Sequence, residues 1–164
     1  MQQVVSPETT AGNRFELFTL LCQTTHFMSR ALGAELEDSA GITYTQGLVM
    51  FAVKYTKGPA TPAMIARWMS RERTSVIRVL REMEKQGLLT LTRDLPRKNR
   101  VRVSLTRKGE EAYHLAEEIR ERMIDNDIMA HLSDEEHAAM WTGAWKLRAA
   151  AATKVGPRIR FPFP

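Results

Sequence analysis

Apolar residues recur at three- and four-residue steps along most of this chain, and the pattern changes to alternation in one stretch only. From about Gly12 to Asp38 the apolar positions Phe15, Phe18, Leu21, Cys22, Met28, Leu32 and Leu36 predict a helix with one broad face. Leu17, Leu20 and Phe27 fall outside that face, and a stripe this wide suits a helix covered on two sides, as between subunits or deep in a core. Ser39-Ala40-Gly41 breaks the pattern, and Thr43 is a fitting N-cap for a helix from Tyr44 to about Thr56, with Leu48, Phe51, Ala52 and Tyr55 inside. Lys57-Gly58-Pro59 ends it. A third helix is predicted from the Thr61 cap with Pro62 at its first position and Ile65, Ala66 and Met69 inward. A fourth opens at Ser70, buries Val76, Leu80 and Met83 with Val79 beside them, and stops at Gly87.

After Gly87 the period becomes two. Leu89, Leu91 and Arg93 alternate with Thr90 and Thr92, and Val101, Val103 and Leu105 alternate with Arg102 and Ser104. The two predicted strands are joined by Asp94-Leu-Pro-Arg-Lys-Asn-Arg100, a basic hairpin tip. Helical spacing then returns. Thr106 caps a helix from Arg107 to about Ala130 with Ala112, Leu115, Ala116, Ile119, Met123 and Met129 on one side. Ser133 caps the last helix, whose stripe is His137, Met140, Trp141, Ala144, Trp145, Arg148 and Ala152. Residues 1 to about 10 read as a loose polar arm, and the tail after Gly156-Pro157 is apolar and proline-rich.

Charge sharpens the picture. Between Arg67 and Lys108 thirteen Lys and Arg face four acidic residues, a local net of +9, whereas the rest of the chain carries −4. The basicity is therefore concentrated on one segment, as a polyanion-facing surface requires. Within it, Arg71, Arg73, Thr74, Ser75, Arg78 and Arg81 crowd the first turns of the fourth helix and the turn before it. A recognition helix reads base edges from its N-terminal residues, and a guanidinium fork grips guanine or phosphate with two hydrogen bonds. The tip residues Arg97, Lys98, Asn99 and Arg100 suit a minor groove or the phosphates beside it.

The order of helix, helix, helix-turn-helix, wing, long helix and last helix resembles the MarR family of bacterial transcriptional regulators. The resemblance rests on ITYTQ (Ile42 to Gln46), LREMEKQGLL (Leu80 to Leu89) and VSLTRKGEEAY (Val103 to Tyr113), and covers roughly Phe15 to Lys154. It implies a mainly α fold with a small β-wing. Residues 43–106 would be the winged helix-turn-helix lobe, and 12–42 with 107–154 an α-helical dimerisation region, followed by the tail at 155–164. It further implies a homodimer on the inverted repeat of a double-stranded operator, most simply a repressor, released when a small phenolic or lipophilic effector binds. The wing departs from the family pattern. Where relatives carry Asp-x-Arg at the tip, this chain has Arg97-Lys98-Asn99, so the acidic partner is missing.

Candidate chemistry beyond DNA is sparse. An effector pocket is expected among the first, second and fifth helices, with His26, Phe27, Met50, Phe51 and Trp68 as its lining; the same residues read equally well as core. Cys22 sits on the first helix where a peroxide-sensing branch of the family has its reactive thiol, with Tyr44 placed as a partner, so a redox-sensing regulator is an alternative. An effector-independent architectural DNA-binding protein is another. His26, His114, His131 and His137 form no short ligand pair, so neither a metal nor a cofactor is expected. No glycine-rich phosphate loop, nucleophile elbow or metal-binding helix motif is present, which argues against an enzyme. A single cysteine, no leader-like start and no long apolar run point to a cytoplasmic protein without a membrane span.

Overall fold

The computed structural model describes residues 12–93 and 101–155. The expected polar arm, the wing-tip residues Arg97, Lys98, Asn99 and Arg100, and the tail lie outside these residues. Six helices and one hairpin follow the predicted order: α1 (Arg14–Ala40), α2 (Tyr44–Tyr55), α3 (Pro62–Trp68), α4 (Arg73–Lys85), β1 (Leu89–Arg93), β2 (Val101–Leu105), α5 (Arg107–Arg120) and α6 (Asp134–Val155).

The helix ends follow local chemistry. Asn13 and Glu16 form a reciprocal capping box at the start of α1, which continues through Ala40 to a left-handed Gly41. The helix thus runs two residues past Asp38 and ends within the expected Ser39-Ala40-Gly41 break. Thr43 and Gln46 form the same box on α2, and Thr61 caps α3 behind Pro62. Ser133 and Glu136 exchange bonds of 3.3 and 2.8 Å ahead of α6.

Two inward faces differ from the pattern-based expectation. On α2, Val49 and Met50 are fully buried, Leu48 is half-buried and Tyr55 is exposed. The reason is that α2 touches α1, α3, α4, α5 and β2, so its apolar residues are not confined to one stripe. On α5, Tyr113 is buried and Leu115 is exposed. The expected single helix to Ala130 also ends at Arg120 and continues as a π-helical segment, Glu121–Ile128, with a short 3₁₀ turn, Met129–His131. Its half-buried residues, Met123 and Ile124 then Ile128 and Met129, recur at five-residue spacing, which a π-helix rather than an α-helix brings to one side.

The core gathers Leu32 and Leu36 of α1, the inner residues of α2, Ile65 and Ala66, the α4 stripe, Leu88, Leu89, Val103, and Tyr113, Ala116 and Ile119 of α5. Leu80 is 0% exposed at its centre. Leu80→Ala is expected to lower unfolding free energy by about 2–5 kcal/mol, read as a lower urea midpoint at unchanged slope.

The terminal helices contribute little to that core. Only Leu32 and Leu36 of the 27-residue α1 are buried, and no described residue of α6 is. Phe15 stands 74% exposed, and Leu17, Phe18, Leu20 and Phe27 are open with it. On α6 Met140, Trp141, Trp145 and Leu147 are likewise exposed. No described helix is long and apolar enough to cross a membrane.

Candidate nucleic-acid interface

The turn between α3 and α4 shapes the site. Met69 ends α3, and Arg71 donates its N–H back to the Ala66 carbonyl at 2.9 Å. Ser70 adopts φ 54°, a left-handed conformation uncommon outside glycine, which reverses the chain within four residues. The expected opening of α4 at Ser70 is thus corrected to Arg73: a residue in the left-handed region cannot begin a right-handed helix. Glu72 takes the N-cap position without a side-chain hydrogen bond. No side chain therefore caps the first N–H groups of α4, and such groups suit a phosphate oxygen.

Val76, Leu80 and Met83 anchor α4 to the core. Thr74, Arg78 and Arg81, spaced four and three apart, stand on the opposite side of the helix, flanked by Arg73 and Ser75. All five are exposed, as is Arg71 in the turn, and Arg73, Arg78 and Arg81 make no ion pair among the described residues. Ile77, next to Arg78 on the helix, is half-buried.

The wing is held to this unit at several points. β1 and β2 pair antiparallel in the register Leu91 to Val103, and the Val103 N–H reaches the Ala60 carbonyl at 2.9 Å. Glu84 near the end of α4 accepts from the Leu91 N–H at 3.0 Å. These bonds tie the wing strands to the end of α4 and to Ala60 ahead of α3.

Neither of the two cavities described next is lined by the five residues expected at an effector pocket. Met50 and Phe51 are in the core, His26 and Phe27 are exposed on α1, and Trp68 is half-buried at the end of α3. A cavity of about 650 Å³ lies between α1 and α6, walled by Leu17, Phe18, Leu21, Cys22 and Leu147 among others, with Arg14 and Arg148 beside it. A second, of about 470 Å³, lies where the end of α1 meets Gln86 and α5. Cys22 is exposed and unpaired. Among the described residues no three His, Cys, Asp or Glu side chains are placed to hold a metal ion.

Sequence reasoning missed a polar seam joining α2 to α5. Lys54 pairs with Glu110 at 2.6 Å and lies over the Tyr113 ring at 5.1 Å. Phe51 meets the same ring edge-on at 5.5 Å, and the Tyr113 hydroxyl donates to Glu117 at 2.9 Å. Burial first, then the Glu117 carboxylate, pushes the Tyr113 phenol well above its ordinary pKa and keeps it protonated. Neither residue type nor spacing singles out such a seam, because its members come from helices about sixty positions apart.

Comparison with known proteins agrees with this geometry. Residues 42–109 match the winged helix DNA-binding domain family. No curated protein sequence matches the chain. Among solved structures, the organohalide-sensing transcriptional regulator RdhR in its 2,4-dichlorophenol-bound form is similar at 27% identity and TM-score 0.79, over 98% of this chain and 99% of that one. The Staphylococcus aureus MepR–DNA complex is similar at 23% identity and TM-score 0.75, over 82% and 96%. MarR of Escherichia coli shares the fold at 18% identity and TM-score 0.65, over 85% and 98%. With its mostly helical architecture, antiparallel β-wing and exposed α4, the chain carries a winged helix DNA-binding domain in a fold similar to that of MarR-type transcriptional regulators.

Proposed function

We propose that the protein works as a homodimeric repressor on an inverted repeat, each subunit placing α4 in one of two successive major grooves about 34 Å apart. One observation carries this reading. The same chain exposes a cationic, hydroxyl-bearing face on α4 and bare aromatic faces on α1 and α6. Soluble proteins rarely leave large contiguous apolar patches open to water. A second copy seated on α1 and α6 covers those faces and presents two recognition helices together.

In this reading Thr74, Arg78 and Arg81 face base edges, while Arg71, Arg73 and Ser75 meet phosphates and sugars. The wing cations Arg97, Lys98 and Arg100, with Asn99, follow the adjacent minor groove. A small phenolic or lipophilic effector releases the dimer from DNA, a reading supported by the similar RdhR, which was solved with 2,4-dichlorophenol.

The test is a titration of a fluorescent duplex from upstream of the protein's own gene against a scrambled one, at two salt concentrations. Preference for the native duplex by ~10³ or more with two chains per duplex is expected. Equal, salt-steep binding to both would instead indicate architectural binding. Replacing Arg78 or Arg81 by Ala should each weaken the native duplex by about 1–3 kcal/mol. Unchanged affinity in both variants would remove α4 from the reading role.

A further inference from the structure

We propose that Gln46, Gln86 and Lys108 form a positioning relay that sets the angle of the recognition helix on α5, and with it the half-site spacing that the dimer accepts. The inference rests on the dimeric reading above.

The relay starts at Gln46, the one polar residue in the described core, 6% exposed at the third position of α2. Its Oε1 accepts from the Thr43 N–H at 2.9 Å, which leaves Nε2 to donate to Gln86 Oε1 at 2.7 Å. The polarity is forced, since a backbone N–H can only donate and a carboxamide oxygen can only accept. Gln86 Nε2 in turn reaches Glu82, one turn back on α4, at 3.4 Å. From the other side the Lys108 ammonium donates to the Gln86 carbonyl at 2.9 Å. Thr106 holds the next two carbonyls, Gly87 through its hydroxyl at 2.6 Å and Leu88 through its N–H at 3.1 Å.

Three successive carbonyls at the exit of the recognition helix are thus gripped by the first turn of α5. A cation at this place also complements the negative end of the α4 dipole. The buried apolar stripe of α4 resists displacement but leaves its tilt weakly specified, because apolar contact is non-directional. Hydrogen bonds are directional, and these lie at the end of the lever.

The relay also has room to yield. Gln86 and Lys108 border the 470 Å³ cavity with residues 39–42 from the end of α1, so both side chains can change rotamer without disturbing the core. Adding one base pair between half-sites shifts the second by roughly 3.4 Å and 34°. Only a dimer whose recognition helices are held in angle rejects that change.

The experiment uses the full-length protein and an operator that it selects from a random duplex pool, with one base pair then inserted or removed between half-sites. The wild type is expected to prefer its selected spacing by about tenfold or more, a difference of ~1.4 kcal/mol. Lys108→Met and Gln86→Ala should reduce that preference to within about threefold while half-site sequence preference is kept, and Lys108→Arg should restore it. Lys108 is exposed, so its variant carries the test even where Gln86→Ala fails to fold. Wild-type spacing preference in Lys108→Met overturns the relay. So does loss of spacing and sequence preference together, which marks a merely structural role. A wild type indifferent to spacing fails the dimeric reading itself, and the relay falls with it.

Discussion

Chains ending at Leu132, which lack α6, are expected to run as monomers in chromatography with light scattering and to lose operator affinity by roughly 10²–10⁴-fold. The size of the loss follows from multivalency: linking two modules turns the second encounter into an intramolecular one. Far-ultraviolet circular dichroism should meanwhile show the remaining helices intact. No described α6 side chain is buried, whereas the core drawn from α1 to α5 remains complete. The exposed Trp141 and Trp145, whose rings sit 6.3 Å apart, and the exposed Met140 and Leu147 are what the truncation removes. A shortened chain that still dimerises would show that α1 alone, through Phe15, Phe18 and their neighbours, holds the two copies together.

Replacing Gly109 by Ala should destabilise the fold even though alanine is the better helix former. Gly109 lies in the first turn of α5 against the backbone at the start of β1. A Cβ there would stand 1.9 Å from the Leu88 carbonyl oxygen and 3.3 Å from Leu105 Cβ. The carbonyl cannot easily move aside, because it accepts from the Thr106 N–H at 3.1 Å and leads directly into the paired strand. Helix propensity favours alanine by up to about 1 kcal/mol, while forcing atoms into a packed site costs about 1–3 kcal/mol or more. Sterics win because the obstacle is backbone. A fall in Tm of about 3–10 °C is expected for a chain of this length. A rise in Tm would mean that α5 docks more loosely than the hydrogen bonds of Thr106 and Lys108 indicate.

The helix caps and Gly109 differ in what can be read from order alone. Thr43, Thr61 and Thr106 announce their helices because an N-cap hydroxyl serves its own chain three residues on. Gly87 announces a stop because its left-handed conformation is local, φ 71°. Gly109 gave no such signal, since its constraint comes from a strand twenty residues away. Lys54, Gln46 and Gln86 were silent for the same reason. Each is an ordinary polar residue on a helix until its partner is in place.

Errors in the expected faces have the same origin. Periodicity identifies one apolar stripe, so it described α4 well, where one side packs and the other is open. It was incomplete on α2, which is surrounded, where Phe51 and Ala52 are buried as expected but so are Val49 and Met50, and it failed beyond Arg120, where the chain leaves α-helical spacing. Met50 and Phe51 looked alike as core or as pocket, and the packing puts both in the core.

By itself the sequence determined the element order, most helix ends and the concentration of positive charge between Arg67 and Lys108. These follow from interactions within a few residues and from composition, which need no tertiary structure. The tertiary structure alone decided how α5 grips the exit of α4, how α2 meets α5 at Tyr113, and which aromatic faces a single chain leaves uncovered. Those depend on contacts between distant positions, and no local pattern encodes where a distant carbonyl will be.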